Sequence, residues 1–226
     1  MHVLIDGDII GYRIGFSTEE ENEKIVVSRV ATFIESMLWE DLDAETYQGY
    51  LTGSGNFRND IARTAPYKGN RTAPKPKHLQ FIRDYLVSAW DFKISEGEEA
   101  DDSIAIAHTE SNYTTVIASI DKDFLQLPGK HWNFVKKEMT EVNEAEALLN
   151  FYRQVLTGDR VDNIIGLKGI GPVKADKILA NCTSRAEMYL ACIEAYGGSE
   201  ERVIENCRLL WLRRTVGEIW QPPGMV

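Results

Sequence analysis

The spacing of apolar residues changes several times along the chain, and each change marks an element. Residues 2–5 are an apolar run closed by Asp6, which predicts a short buried strand. Over 24–41, Val26, Val30, Phe33, Ile34, Met37 and Leu38 recur at helical spacing, which predicts an amphipathic helix. Residues 48–51 read as a second strand, and Gly53, Ser54, Gly55 and Asn56 as the turn after it. Residues 58–77 carry Pro66, Pro74 and Pro76, so loop or broken helix is expected there. Leu79, Ile82, Tyr85, Leu86 and Ala89 mark a further helix. Ala100, Ile104, Ala107 and His108 fall on one side of another, over 99–110. Residues 115–120 form a strong strand with Asp121 at its end.

Strands alternating with helices predict an α/β fold: a mostly parallel sheet with helices on both faces. In such sheets the active site lies at the carboxyl ends of the strands, where Asp6 and Asp121 both fall. From Asn143 onward the pattern turns helical. Asn143 with Glu146 resembles a capping arrangement, Ser184 with Glu187 is a capping box, and Pro172 suits a first helical position. A boundary near 156 separates the sheet region, 1–156, from a smaller helical one, 157–226.

Composition sharpens this picture in three ways. A chain of 226 residues with 43% hydrophobic residues has enough apolar surface for a buried core. The net charge of −10 argues against non-specific coating of nucleic acid, yet Arg58 to Lys93 carries eight cations against three aspartates. Cys182, Cys192 and Cys207 are odd in number and lack CxxC spacing, which favours reduced thiols in a cytoplasmic compartment. The histidines are scattered, so a histidine metal site is not expected. Asp6 interrupts the N-terminal apolar run, and neither a signal peptide nor a membrane span is predicted.

Candidate chemistry lies in four acidic groups: Asp6; Glu99, Asp101 and Asp102; Asp121 and Asp123; Asp159 and Asp162. Hard cations such as Mg²⁺ take oxygen ligands, and eight converging carboxylates would repel without one. Two divalent ions roughly 4 Å apart could clamp an in-line phosphoryl displacement. Each group alone also has a structural reading. EEADD suits a helix start, SIDKD and DGD suit turns, and GDRVD suits a capped loop. Their joint occurrence beside GLKGIGPVKA favours chemistry, because that glycine hairpin opening a helix presents N–H groups to a phosphate. In PYKGNR, Lys68 and Arg71 are suited to a phosphate, and Tyr67 either stacks on a base or is partly buried. The five tryptophans suit a core or an interface.

These motifs resemble those of the 5′-nuclease (flap endonuclease) superfamily. DG, FR…YKGNR, EADD, SxDKDFxQL and GDxxDNIxGLKGIGPxKA occur in that family's order over roughly 3–180, most like bacteriophage 5′–3′ exonucleases and the 5′-nuclease domains of bacterial DNA polymerase I. The resemblance implies a PIN-like nuclease domain over 1–156. It implies a helix–three-turn–helix DNA-binding element with a helical C-terminal region over 157–226. It also implies an Mg²⁺- or Mn²⁺-dependent phosphodiesterase acting on DNA with 5′ ends, flaps or junctions, and on RNA·DNA hybrids, in the cytoplasm (the host's, if phage-encoded). By position, Asp6, Glu99, Asp101 and Asp102 would form a first metal group, with Asp121, Asp123, Asp159 and Asp162 the second and Asp101 the bridge. Lys68 and Arg71 match the catalytic cations, and Tyr67 the aromatic near the 5′ end. Lys168, Gly169, Gly171 and Lys174 match the hairpin on the duplex backbone, which can hold K⁺. The family's usual aspartate after the second strand is missing: Thr52 and Gly53 stand there, and Asp8 is an extra acid that could compensate. Two alternatives stay open, a catalytically weakened DNA-binding protein and a PIN-type ribonuclease.

Overall fold

The computed structural model of the chain describes residues 1–224. The chain forms two compact units that interleave in sequence. The first takes Met1–Asn56, Ala73–Phe124 and Gly129–Val142; the second takes Phe57–Thr72, Leu125–Pro128 and the chain from Asn143 onward. No helix among the described residues is long and apolar enough to cross a membrane.

The first unit is built on six strands: β1 (His2–Asp6), β2 (Thr46–Thr52), β3 (Lys93–Ser95), β4 (Val116–Ala118), β5 (Gly129–Asn133) and β6 (Glu138–Val142). Their order is β3-β2-β1-β4-β5-β6, and every pair is parallel except β5 with β6. Strand alternation assigns the two faces. Val3, Ile5, Val116 and Ala118 join one core with α1 (Gly7–Ser17), α2 (Glu23–Glu35) and, further along the chain, Leu79–Trp90. Leu4 and Ile117 point the other way, where the helix Ala100–Glu110 packs. The expected α/β architecture is therefore present, and β1 lies at its centre.

The sequence reading missed α1. Gly7, Gly11 and Gly15 break up its apolar run and look like turn signals. In the fold they line one helical face that leaves no room for a side chain at Gly7 and Gly15 and little at Gly11, where Leu79 Cδ1 lies 3.1 Å from an added Cβ. A Cβ on Gly7 would meet the Tyr50 carbonyl at 2.6 Å, and one on Gly15 would meet the Pro76 ring at 2.6 Å. Strands β3, β5 and β6 also escaped the reading. β3 is a short edge, and four of the five residues of β6 are exposed, so neither has an alternating pattern to detect. The helix expected over 24–41 ends at Glu35 and continues as a π-helical turn, Ser36–Asp41.

The second unit is helical. Numbered along the whole chain, its helices are α3 (Arg58–Ile61), α6 (Glu144–Thr157), α7 (Pro172–Leu179), α8 (Arg185–Ala195) and α9 (Glu200–Leu210); α4 and α5 are the first unit's Leu79–Trp90 and Ala100–Glu110. The compact units do not divide at 156. Phe151, Tyr152, Val155 and Leu156 of α6 share a core with Leu179, Tyr189 and Val203, so the whole helix belongs to the second unit. Burying each such side chain is worth about 1.5–3 kcal/mol. The capping boxes at Asn143 and Ser184 and Pro172 at the start of α7 are found as expected. Arg58 and Gln126 stitch distant pieces into this unit. Arg58, 1% exposed, donates to the Leu209 carbonyl at 2.8 Å and the Trp211 carbonyl at 2.9 Å. Gln126 donates to the Leu210 carbonyl and accepts the Leu212 N–H.

Candidate active site

In the first unit the carboxyl ends of β1 and β4 lie side by side, because Ile5 pairs with Ala118 in parallel register. That register sets Asp6 next to Ser119, whose hydroxyl donates to Asp6 Oδ2 at 2.7 Å. The Asp121 N–H donates to Ser119 Oγ at 3.0 Å, and the Asp123 N–H donates to Asp121 Oδ1 at 2.9 Å. Acids from two motifs far apart in the chain thus form one hydrogen-bonded row. Asp6 also caps α1, accepting the Ile9 N–H at 3.2 Å. Burial raises the Asp6 pKa to about 7; the nearby charges of Asp8 and Asp121 add to the rise, against the opposing pull of Ser119 and Ile9.

The other acids of this unit open α5. Glu99 and Asp102, both buried, form a reciprocal capping box in which the Glu99 N–H donates to Asp102 Oδ2 at 3.2 Å. Asp101, between them, is only partly buried. The start of α5 is tied to β2, since the Ala100 N–H donates to Thr52 Oγ1 at 2.9 Å.

The position after β2 cannot carry an acid in this fold. A Cβ on Gly53 would meet the Ser95 carbonyl at 2.6 Å and Ile94 Cγ2 at 2.6 Å. Asp8, the extra acid, is engaged within the protein. Its Oδ1 accepts Arg83 at 2.6 Å and its Oδ2 accepts the Thr52 N–H at 3.0 Å.

The second unit gathers the remaining predicted residues. Asp162, largely shielded, accepts Arg71 at 2.7 Å and the Tyr67 hydroxyl at 2.8 Å, with Lys68 Nζ 3.7 Å away. The Lys68 N–H also donates to the Asp162 carbonyl, with Lys68 in left-handed backbone conformation at φ 54°. YKGNR and GDRVD therefore clasp each other. Asp159, buried, accepts the N–H groups of Val161 and Asp162 and shapes that turn. Tyr67 is 8% exposed and belongs to the core of this unit, so the partial-burial reading describes its ring better than open stacking.

The glycine hairpin follows the strand pair β7 (Gly158–Asp159) and β8 (Ile164–Ile165). Gly169 is left-handed at φ 78°, and Gly171 caps α7 with Pro172 behind it. Lys168 and Lys174 are exposed there, and Lys174 Nζ donates to the Gly169 carbonyl at 2.8 Å.

Among the described residues, no three His, Cys, Asp or Glu side chains converge into a group that could hold a metal ion as they stand. The donor chemistry nevertheless fits a hard divalent cation, since the row offers only oxygen ligands. Sequence reasoning missed Ser119, Thr52 and Arg83. Ser119 adjoins the SIDKD motif, but its link to Asp6 needs the β1–β4 register.

Comparison with known proteins agrees with the motif order. Residues 1–152 match the family model described as 5′–3′ exonuclease, N-terminal resolvase-like domain. The 5′–3′ exonuclease of Mycoplasma genitalium is 30% identical over 211 residues, covering 78% of this chain and 70% of that protein. DNA polymerase I of Bacillus caldotenax is 27% identical over 91% of this chain, which spans 26% of the polymerase. Among solved structures, the T5 5′-exonuclease with bound divalent metal ions (zinc) superposes with a TM-score of 0.70 at 20% identity, covering 93% of this chain and 89% of the other. The catalytic core of Rad2 in complex with a DNA substrate reaches 0.57 at 14% identity, covering 98% and 80%. The structures share the fold, and the sequence matches establish the lineage: the chain belongs to the 5′–3′ exonuclease family.

Proposed function

We propose that the chain is a divalent-metal-dependent 5′–3′ exonuclease and flap endonuclease that hydrolyses DNA phosphodiester bonds and leaves a 5′-phosphate. RNA in RNA·DNA hybrids is its second substrate, and the cytoplasm its compartment. The observation that carries this reading is the row of Asp6, Ser119, Asp121 and Asp123 at the ends of two adjacent parallel strands. A divalent cation, Mg²⁺ or Mn²⁺, would offset the cost of ionising Asp6, whose pKa burial, and to a lesser extent the charges of Asp8 and Asp121, raise to about 7. Asp6, Glu99, Asp101 and Asp102 make up the first metal group in this proposal, and Asp121, Asp123, Asp159 and Asp162 the second. Asp101 is better suited to direct ligation than Glu99 and Asp102, which are held in their capping box. Two bound ions would supply water activation and stabilisation of the leaving oxygen.

Lys68 and Arg71 neutralise and orient the scissile phosphate, which must compete with Asp162 for both cations. At the start of α7, Lys168, Gly169, Gly171 and Lys174 hold a duplex phosphate through backbone N–H groups and charge. A K⁺ ion at 166–171 would share the Gly169 carbonyl with Lys174. The family match favours this reading over a PIN-type ribonuclease. A second reading, DNA binding with weakened catalysis, is favoured by one observation: the backbone at Gly53 leaves no room for an acid. Cleavage of 5′-labelled flap, gapped, blunt-duplex and RNA·DNA substrates in Mg²⁺, with product sizing, separates the two. Short 5′ products that vanish with chelator are expected. Binding of flap DNA without cleavage of any substrate would establish the second reading instead.

A further inference from the structure

We propose that Arg83 is the positioning residue of the first unit's carboxylates, an inference that rests on the nuclease reading above. Arg83 lies on α4, outside every acidic motif. Its guanidinium donates to Asp8 Oδ1 at 2.6 Å and to the Thr52 carbonyl. Asp8 Oδ2 accepts the Thr52 N–H at 3.0 Å, and Thr52 Oγ1 accepts the Ala100 N–H at 2.9 Å. The planar fork therefore ties the first turn of α1 to the last residue of β2, and the Thr52 hydroxyl in turn ties β2 to the first residue of α5. Asp6 immediately precedes α1, and Asp101 immediately follows Ala100. The pair is partly shielded from solvent, with side chains 20% and 25% exposed, so it is screened less than a surface pair.

Asp8 has an N–H donor on each oxygen, one of them cationic, so its charge is offset within the protein and it is held back from cation binding. The spacing between Asp6 and Asp101 is set through Thr52, because β2 cannot shift without dragging the start of α5. A lysine at position 83 could supply the charge but not the two-pronged bridge.

The test measures Mn²⁺ binding to the whole chain by calorimetry without DNA, and steady-state cleavage of 5′-flap DNA. Arg83→Met keeps the aliphatic stem and removes the fork. It is expected to weaken Mn²⁺ binding and lower kcat, each by about 10–100-fold, the usual effect of losing a partner that orients metal ligands. KM for DNA should change by less than about twofold, as it does when an interaction acts on chemistry rather than docking. Arg83→Lys should recover only part of either loss. If Arg83→Met does not fold, Asp8→Asn removes the charge that Arg83 pairs with and leaves its bond to the Thr52 carbonyl, with lower kcat and weaker Mn²⁺ binding expected. A raised KM with unchanged kcat would make Arg83 a direct DNA contact and overturn the inference. So would a variant that is less heat-stable but binds Mn²⁺ and cleaves as wild type does. If Mn²⁺ binding depends on Arg83 but the wild type cuts no substrate, the nuclease reading fails while the positioning role stands.

Discussion

Asp6 concentrates the electrostatics of the first unit in one carboxyl. Its pKa of about 7 means that the folded chain keeps a proton which the unfolded chain releases near pH 4. The proton-linked stability is therefore full below about pH 4 and is lost as pH rises through about 7, at about 1.4 kcal/mol for each pH unit between the two. Asp6→Asn removes this loss. In chelator, urea unfolding should find the variant gaining stability relative to wild type between about pH 5 and pH 7, a gap that grows with pH over that window and levels off above it. A constant difference across that range would contradict the assigned pKa. Catalysis should behave in the opposite way: Asp123→Ala is expected to abolish cleavage of a labelled flap while leaving DNA binding measurable by gel shift. Lys68→Ala should lower kcat much more than it weakens binding, because its partner Asp162 belongs to the protein and is replaced by the reacting phosphate.

Among the elements, α1 shows how packing overrides propensity. Alanine favours a helix interior over glycine by about 1 kcal/mol, so Gly15→Ala should stabilise α1 on propensity alone. The Pro76 ring sits 2.6 Å from where that methyl would go, and overpacking of this kind costs about 1–3 kcal/mol. The expected net result is a lower melting temperature, measured by calorimetry. At Gly171 nothing lies within 4 Å of an added Cβ, so the same substitution there loses only the better capping of glycine, and a smaller fall in melting temperature than at Gly15 is expected. Elements with a strong local signature were legible in sequence. β1 and β4 are apolar runs, α4 keeps a helical stripe, and the caps at Asn143 and Ser184 satisfy local backbone groups. β6 was not legible, because an exposed edge gains its hydrogen bonds from its neighbour rather than from any apolar pattern, and β5 was not because Gly129, Lys130, His131 and Asn133 leave Trp132 as its one apolar residue.

At the scale of the whole chain, the units are interleaved rather than consecutive, and a few buried polar side chains hold the distant pieces of the second. Arg58 is the clearest of these. Arg58→Met would leave the Leu209 and Trp211 carbonyls without their donor, at a cost of about 1–3 kcal/mol for each buried group. Denaturant unfolding should show a correspondingly lower midpoint. The FR motif, which helped to mark the family, thus contributes an arginine that holds the fold rather than one that touches the reaction.

The sequence by itself determined the class of sheet, the placement of Asp6 at the end of β1, the helix caps and the order of acidic motifs that marks the family, while β4 ends at Ala118, three residues before Asp121. All of these are local: a run of apolar residues or a capping pair acts within a few positions, so it is visible in one dimension. The tertiary structure alone decided which polar groups meet. Strand register joined Asp6 to Ser119, the close approach of β3 excluded a side chain at Gly53, and Arg83 reached Asp8 and Thr52 from α4. The same long-range packing buried Tyr67 and gave Lys68 and Arg71 a shared partner in Asp162. Such pairings depend on burial and on contacts between residues dozens of positions apart, and no local pattern encodes them.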